Sequence, residues 1–137
     1  MRIFNHIFKI LGQEKAKEIF AVNLADNGME FLKFHMLEKQ GVRVYFTNPY
    51  RSTDKAECER NHEFIRYIIP KGISIDNLTQ RKLNLLFSHI NSYVRASNEN
   101  KTPFELIEKR FGPEFLRAIG IRRINPKNVL LKPELLY

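Results

Sequence analysis

Two acidic residues in this sequence stand where side chains do chemistry. Asp26 follows a short, apolar and partly β-branched run, Ile19 to Leu24, and heads the tripeptide Asp26-Asn27-Gly28. Asn and Gly tolerate positive φ angles, so taken alone this tripeptide reads as a tight turn. Glu59 falls in the first turns of a helix that is expected to open at Asp54 and run towards Ile69 before Pro70-Lys71-Gly72 stops it. Taken alone, it reads as an acid meeting the positive end of a helix dipole. Together, a strand-end aspartate, a second strand at 42–46 and a helix carrying a glutamate form the plan of a carboxylate metal site. On that helix positions 59, 62 and 66 share a face. His62 and Arg66 therefore project beside Glu59, with Arg66 suited either to meeting a phosphate or to neutralising a carboxylate.

The elements that must position these residues are written in the spacing of apolar side chains. Ile3, Phe4, Ile7, Phe8 and Leu11 recur at three and four, which predicts a helix ended by Gly12. After the polar stretch QEKAKE, Ile19 to Leu24 reads as a buried strand, Glu30 to Lys39 as a helix, and Val42 to Phe46 as a second strand. A strand-helix-strand unit of this kind makes a parallel pair, and functional groups gather at the carboxyl ends of such strands. Asp54 and Glu57 resemble a capping box for the helix that carries Glu59. Thr79 caps a further helix with an apolar stripe of Leu83, Leu86, Phe87, Ile90 and Val94, read as core. Thr102-Pro103-Phe104-Glu105 opens another helix, closed by Gly112-Pro113, and a short helical piece ends at Gly120. The basic tail beyond it, with Pro126 and Pro133, has no regular pattern.

Composition narrows the classes. A chain of 137 residues fits one domain. Its 43% hydrophobic residues, with eleven Phe and five Tyr, supply enough apolar surface for a core. No apolar stretch approaches the roughly 18 residues of a bilayer span, so no membrane is expected as a partner. The single cysteine, Cys58, supplies neither an internal disulfide nor a multi-thiolate metal site, in keeping with a reducing cytoplasm. A formal charge of +8 makes polyanions the natural partners, and residues 101–137 carry eight basic against four acidic side chains, Arg122, Arg123, Lys127 and Lys132 among them.

The ordered set Ala25-Asp26-Asn27-Gly28-Met29-Glu30-Phe31, Phe46-Thr47-Asn48-Pro49-Tyr50, Glu59-Arg60-Asn61 and Ile65-Arg66-Tyr67-Ile68-Ile69-Pro70-Lys71-Gly72 resembles the DDE transposases of the insertion-sequence-thirty family. The likeness continues through Ile90-Asn91-Ser92-Tyr93 and Lys101-Thr102-Pro103-Phe104-Glu105 into the C-terminal Ile-Arg-Arg-Ile and Leu-Lys-Pro-Glu-Leu-Leu segments, and so covers nearly the whole chain.

The resemblance implies an α/β fold: a partial ribonuclease-H-like core of the retroviral-integrase type, lacking its first three strands, over residues 1–95, with a C-terminal helical extension and basic tail of the same domain over 96–137. It implies DNA strand transfer, in which three carboxylates hold two divalent cations, Mg²⁺ or Mn²⁺, as suits hard oxygen ligands. Asp26 matches the second acid and Glu59 the third, while Arg60, Arg66 and Lys71 are the candidate DNA-backbone contacts. No Asp precedes Asp26, Cys58 stands where the family has Asn, and Asn61-His62 reverses its His-Asn order. The expectation is a C-terminal transposase portion, inactive in strand transfer alone and associated with the nucleoid. Its partners would be transposon ends and target DNA, together with its own kind or a full-length transposase, because a sheet missing its neighbours leaves an open edge. The alternative is a non-catalytic regulator that binds DNA or a transposase.

Overall fold

A computed structural model describes residues 2–25, 28, 33–46 and 56–137. The chain divides into two compact units, Met1–Ala56 and Glu57–Tyr137.

In the first unit the three-and-four spacing produces α1 (Arg2–Leu11), and Gly12, at φ 79°, closes it by donating its N–H to the Phe8 carbonyl. The polar stretch after it is helical as well, as α2 (Gln13–Ile19), although it buries only Ala16. Good helix formers such as Glu, Lys and Ala sustain a helix without an apolar stripe, aided by Lys17 pairing with Glu14 and Lys15 with Glu18, each one turn apart. β1 (Val22–Ala25) and β2 (Arg43–Phe46) then pair in parallel, Val22 opposite Arg43 and Leu24 opposite Tyr45.

The expectation of a buried first strand is corrected. Val22 is 60% exposed and Leu24 51%, and only Ala25 of the strand is buried. Strand side chains alternate between faces, so Val22, Leu24 and Tyr45 share one face of a two-stranded sheet whose other face takes the packing. The helix expected over Glu30 to Lys39 is likewise reduced, among the described residues, to one turn, α3 (His35–Glu38). Its ends are held by i→i+3 bonds from Met36 to Lys33 and from Gly41 to Glu38, and Gly41 at φ 82° turns the chain into β2. The buried side chains of this unit are Ile7, Ala16, Ala25, Leu37 and Val42, and Phe4 sets its ring edge-on to both Phe20 and Phe34, at 5.3 and 5.7 Å. The turn residues Asp26 and Asn27 and the Asp54 cap lie outside the described residues.

The second unit is built on α4 (Ala56–Ile68) and α5 (Gln80–Asn91). Thr79 caps α5 as its type predicts, its hydroxyl accepting the Lys82 N–H. Ile68, Ile69, Leu86, Ile90 and Leu136 form the core between these helices and the C-terminus. The apolar stripe is narrower than its sequence spacing indicates: Phe87 is 38% exposed, and Val94, 39% exposed, lies past the end of the helix. α6 (Pro103–Phe111) opens with a full capping box between Thr102 and Glu105, and Gly112, at φ 81°, turns the chain into α7 (Pro113–Ala118). Phe104, Leu116 and Ile121 make a second core there.

Residues beyond Gly120 have no helix or strand longer than a single 3₁₀ turn, yet they are packed. Ser88 Oγ accepts the Arg122 N–H at 2.9 Å, Ser92 Oγ accepts the Ile124 N–H at 2.9 Å, and His89 Nδ1 accepts the Leu130 N–H at 3.0 Å. The match is geometric: four residues of helix rise about 6.0 Å, and two residues of extended chain advance about 6.6 Å. Hydroxyls at i and i+4 on α5 thus meet amides at j and j+2 of the tail. All three side chains are buried, so each donor–acceptor pair replaces water that both partners would otherwise lose.

Candidate functional site

α4 has two faces with different duties. Asn61, Phe64, Ile65 and Ile68 form the inner stripe, spaced at three and four. Phe64 and Ile65 pack on the core that contains Ile68, while Asn61 accepts a hydrogen bond from Arg95 Nη2 at 2.8 Å. Arg95, only 7% exposed, also lays its guanidinium over the Phe64 ring at 4.9 Å, and Tyr93 closes against the same ring at 5.3 Å. A loop through Glu99 and Asn100, both in left-handed backbone conformation, holds Arg95 in place by bringing Lys101 back to it in an antiparallel bridge. This clamp fixes the rotation of α4 about its axis, and so decides what the opposite face presents.

That opposite face carries Glu59, His62, Glu63, Arg66 and Tyr67, which line one shallow depression of about 430 Å³. Glu59, His62 and Arg66 come together there as their spacing requires, all three exposed. Glu63 shares the depression and has no counterpart in the sequence reading, because a second glutamate in a polar helix carries no signal of its own. Arg60 is exposed on α4 and Lys71 is exposed in the turn after Pro70, and neither lines the depression. Asp26 lies outside the described residues.

The donors of this face are of the kind a hard cation takes, two carboxylates and an imidazole, and the oxygen ligands suit Mg²⁺. They do not make a site by themselves, since among the described residues no group of three His, Cys, Asp or Glu is placed to hold a metal ion. Glu59 fits as one ligand of an ion shared with other carboxylates.

A second concavity, about 780 Å³, opens between α5 and the segment after α7, with Arg81, Arg117 and Arg122 around it. Arg122 is legible in the sequence as part of the basic tail, whereas Arg81 and Arg117 lie far apart in the chain and form no linear motif. Among the described residues no helix is long and apolar enough to cross a membrane.

No family model matches the chain, and no solved structure does. The sequence is similar to curated transposases. It is 30% identical over 92 residues to the transposase for insertion sequence element IS4351 of Bacteroides fragilis, covering 66% of this chain and 28% of that protein. It is 32% identical over 85 residues to transposase InsI for insertion sequence element IS30A of Escherichia coli strain K12, covering 61% and 22%. To the probable transposase for insertion-like sequence element IS1161 of Streptococcus salivarius it is 39% identical over 75 residues, covering 55% and 19%. The chain therefore spans well under a third of the length of these relatives. The ordered motifs and the extent of the similarity agree: the chain is a relative of the IS30-type transposases.

Proposed function

We propose that this chain takes part in DNA transposition as a segment of a DDE transposase, with Asp26 and Glu59 as two of the carboxylates that hold divalent metal and Arg60, Arg66 and Lys71 as contacts to the DNA backbone. The observation that carries the reading is the sequence similarity to several transposases across about three fifths of the chain. It is supported by a parallel strand pair ahead of α4, as a ribonuclease-H-like core requires, and by a solvent-facing Glu59 with Arg66 beside it. When bound, Mg²⁺ or Mn²⁺ would activate the attacking oxygen and stabilise the leaving oxygen of a phosphodiester. The part of this chain is to offer Glu59 on a helix whose rotation is clamped, and to place a guanidinium next to it for the phosphate. The 137 residues hold two of the three acids, so strand transfer by this chain alone is not expected. The nucleoid is its place of action in this reading. Self-association belongs to the same reading, supported by the exposed Val22, Leu24 and Tyr45 on one sheet face.

The test is Mn²⁺ binding to the chain, followed by electron paramagnetic resonance. Asp26→Asn and Glu59→Gln should each weaken binding about tenfold or more while the fold persists, because neither change alters side-chain volume. Binding unmoved by both substitutions would remove these residues from the metal site.

A further inference from the structure

Three arginines converge on the larger concavity from separate parts of the second unit. Arg81 stands in the first turn of α5, Arg117 in the last turn of α7, and Arg122 in the extended segment that follows. Gly120 brings the last two to the first: at φ 74° it takes a backbone conformation that side chains disfavour, and a Cβ there would collide with the Asn84 amide on α5. The turn after α7 therefore seats directly against α5. Ile121 is buried beside it, and the Arg122 N–H is fixed on Ser88 Oγ.

Electrostatically, this concavity differs from the other cationic positions of the unit. Arg123 is paired with Glu105 at 2.6 Å, and Arg95 is bonded to Asn61. Arg81, Arg117 and Arg122 have no ion pair and no side-chain hydrogen bond among the described residues, and no carboxylate lines the cavity. Like charges gathered without counter-charge repel one another, and a concave wall concentrates their field on whatever anion enters. Guanidinium groups bind phosphate oxygens in bidentate fashion, and Leu85, 39% exposed, and Ile124 offer apolar surface between them. At about 780 Å³ the cavity is of a size to take a whole ligand, well beyond a single phosphate.

We propose that this cavity is a second DNA-binding site, which grips the phosphodiester backbone through Arg81, Arg117 and Arg122 and shares no residue with the α4 face. It deepens the transposition reading and rests on its DNA partner. Binding of the chain to a fluorescein-labelled 25-base-pair duplex, followed by polarisation across a NaCl series, tests it. Each phosphate no longer neutralised lowers the slope of log K against log salt by about 0.9, so Arg81→Gln, Arg117→Gln and Arg122→Gln together should lower it by more than about 2. Lys109→Gln, Lys127→Gln and Lys132→Gln together remove the same charge from exposed positions outside the cavity and should lower it by less than about 1. Replacing the same three arginines by Lys keeps the charge, loses the bidentate geometry and should give intermediate affinity. All the replaced side chains are exposed, so thermal midpoints should stay at the wild-type value.

Equal losses from the two glutamine triples would mean diffuse attraction and overturn the site while leaving the DNA partner standing. A wild-type chain that fails to bind the duplex at 50 mM salt would overturn both. Inorganic phosphate that shifts the Gly120 and Arg122 amide resonances of a chain whose cavity variants bind DNA normally would identify a free-anion pocket, and would also overturn the proposal.

Discussion

Removing the Ser92 hydroxyl should loosen the tail from α5 without disturbing the core. Ser92 is 1% exposed, and its Oγ is the acceptor for the Ile124 N–H at 2.9 Å. In Ser92→Ala the amide keeps its position but loses its partner, and a buried donor left unsatisfied costs about 1–3 kcal/mol. Ile124 is only half-buried, so water can reach part of the vacated space and the lower end applies, about 1 kcal/mol. The cost should appear first where the bond was. Amide exchange at Ile124, read by NMR, should quicken about fivefold, the factor that 1 kcal/mol sets at room temperature. The Leu86 and Ile90 amides, in the middle of α5, should keep their protection. Ser88→Ala breaks the equivalent bond to Arg122 one helical turn earlier, at a similar cost. The double variant should lose less than the sum, because the two bonds hold one extended segment and the second is worth less once the first has gone. Unchanged exchange at Ile124 in Ser92→Ala, whatever the thermal midpoint does, would refute the view that these hydroxyls anchor the tail.

Two further outcomes follow from the same unit. His89 is buried, and burial lowers its pKa below the ordinary value of 6.5 while its neutral Nδ1 accepts the Leu130 N–H. The unfolded chain therefore takes up the proton first as pH falls, so stability is complete above about pH 6.5 and declines below it, levelling off once the folded state protonates too. His89→Gln, which can accept the same bond without titrating, should flatten the fall in thermal midpoint between pH 7 and pH 5, and an unchanged fall would exclude His89 as its source. Thr102→Ala removes the acceptor for the Glu105 N–H, at a cost of about 1 kcal/mol. That amounts to ~4–8 °C in thermal midpoint for a unit of this size, with Thr102→Ser restoring most of it.

The parts of the fold that could be read from the sequence are those whose causes are local. Gly12, Thr79 and the Thr102-Pro103-Glu105 cap each act on amides within four residues, and each stands where its type placed it. The parallel pairing of 22–25 with 43–46 followed from two short strands too far apart for a hairpin. Burial of the first strand was misjudged because an apolar run states what can be buried, whereas the number of covering layers decides what is; with one partner strand, Val22 and Leu24 stay in solvent. The packing of the tail left no trace in apolar periodicity, since its anchors are the polar Ser88, His89 and Ser92. The α4 face was readable because Glu59, His62 and Arg66 lie on one helix. The arginine cavity was not, because its three members meet only through Gly120 and the tail.

That contrast ties the two candidate sites to different supports. The orientation of Glu59 depends on the Asn61–Arg95–Phe64 clamp and on the core under α4. The arginine cavity depends on hydroxyls and an imidazole that α5 turns toward the tail, groups that could not stay buried unless the tail amides were there to satisfy them. A helix such as α5, apolar on one side through Leu86 and Ile90 and committed on another to Ser88, His89 and Ser92, therefore requires residues 121–130 as part of its own folding unit. Loosening those residues should dismantle the grip on phosphate while the carboxylate face of α4 keeps its shape, which makes the two surfaces separable by substitution within one small chain.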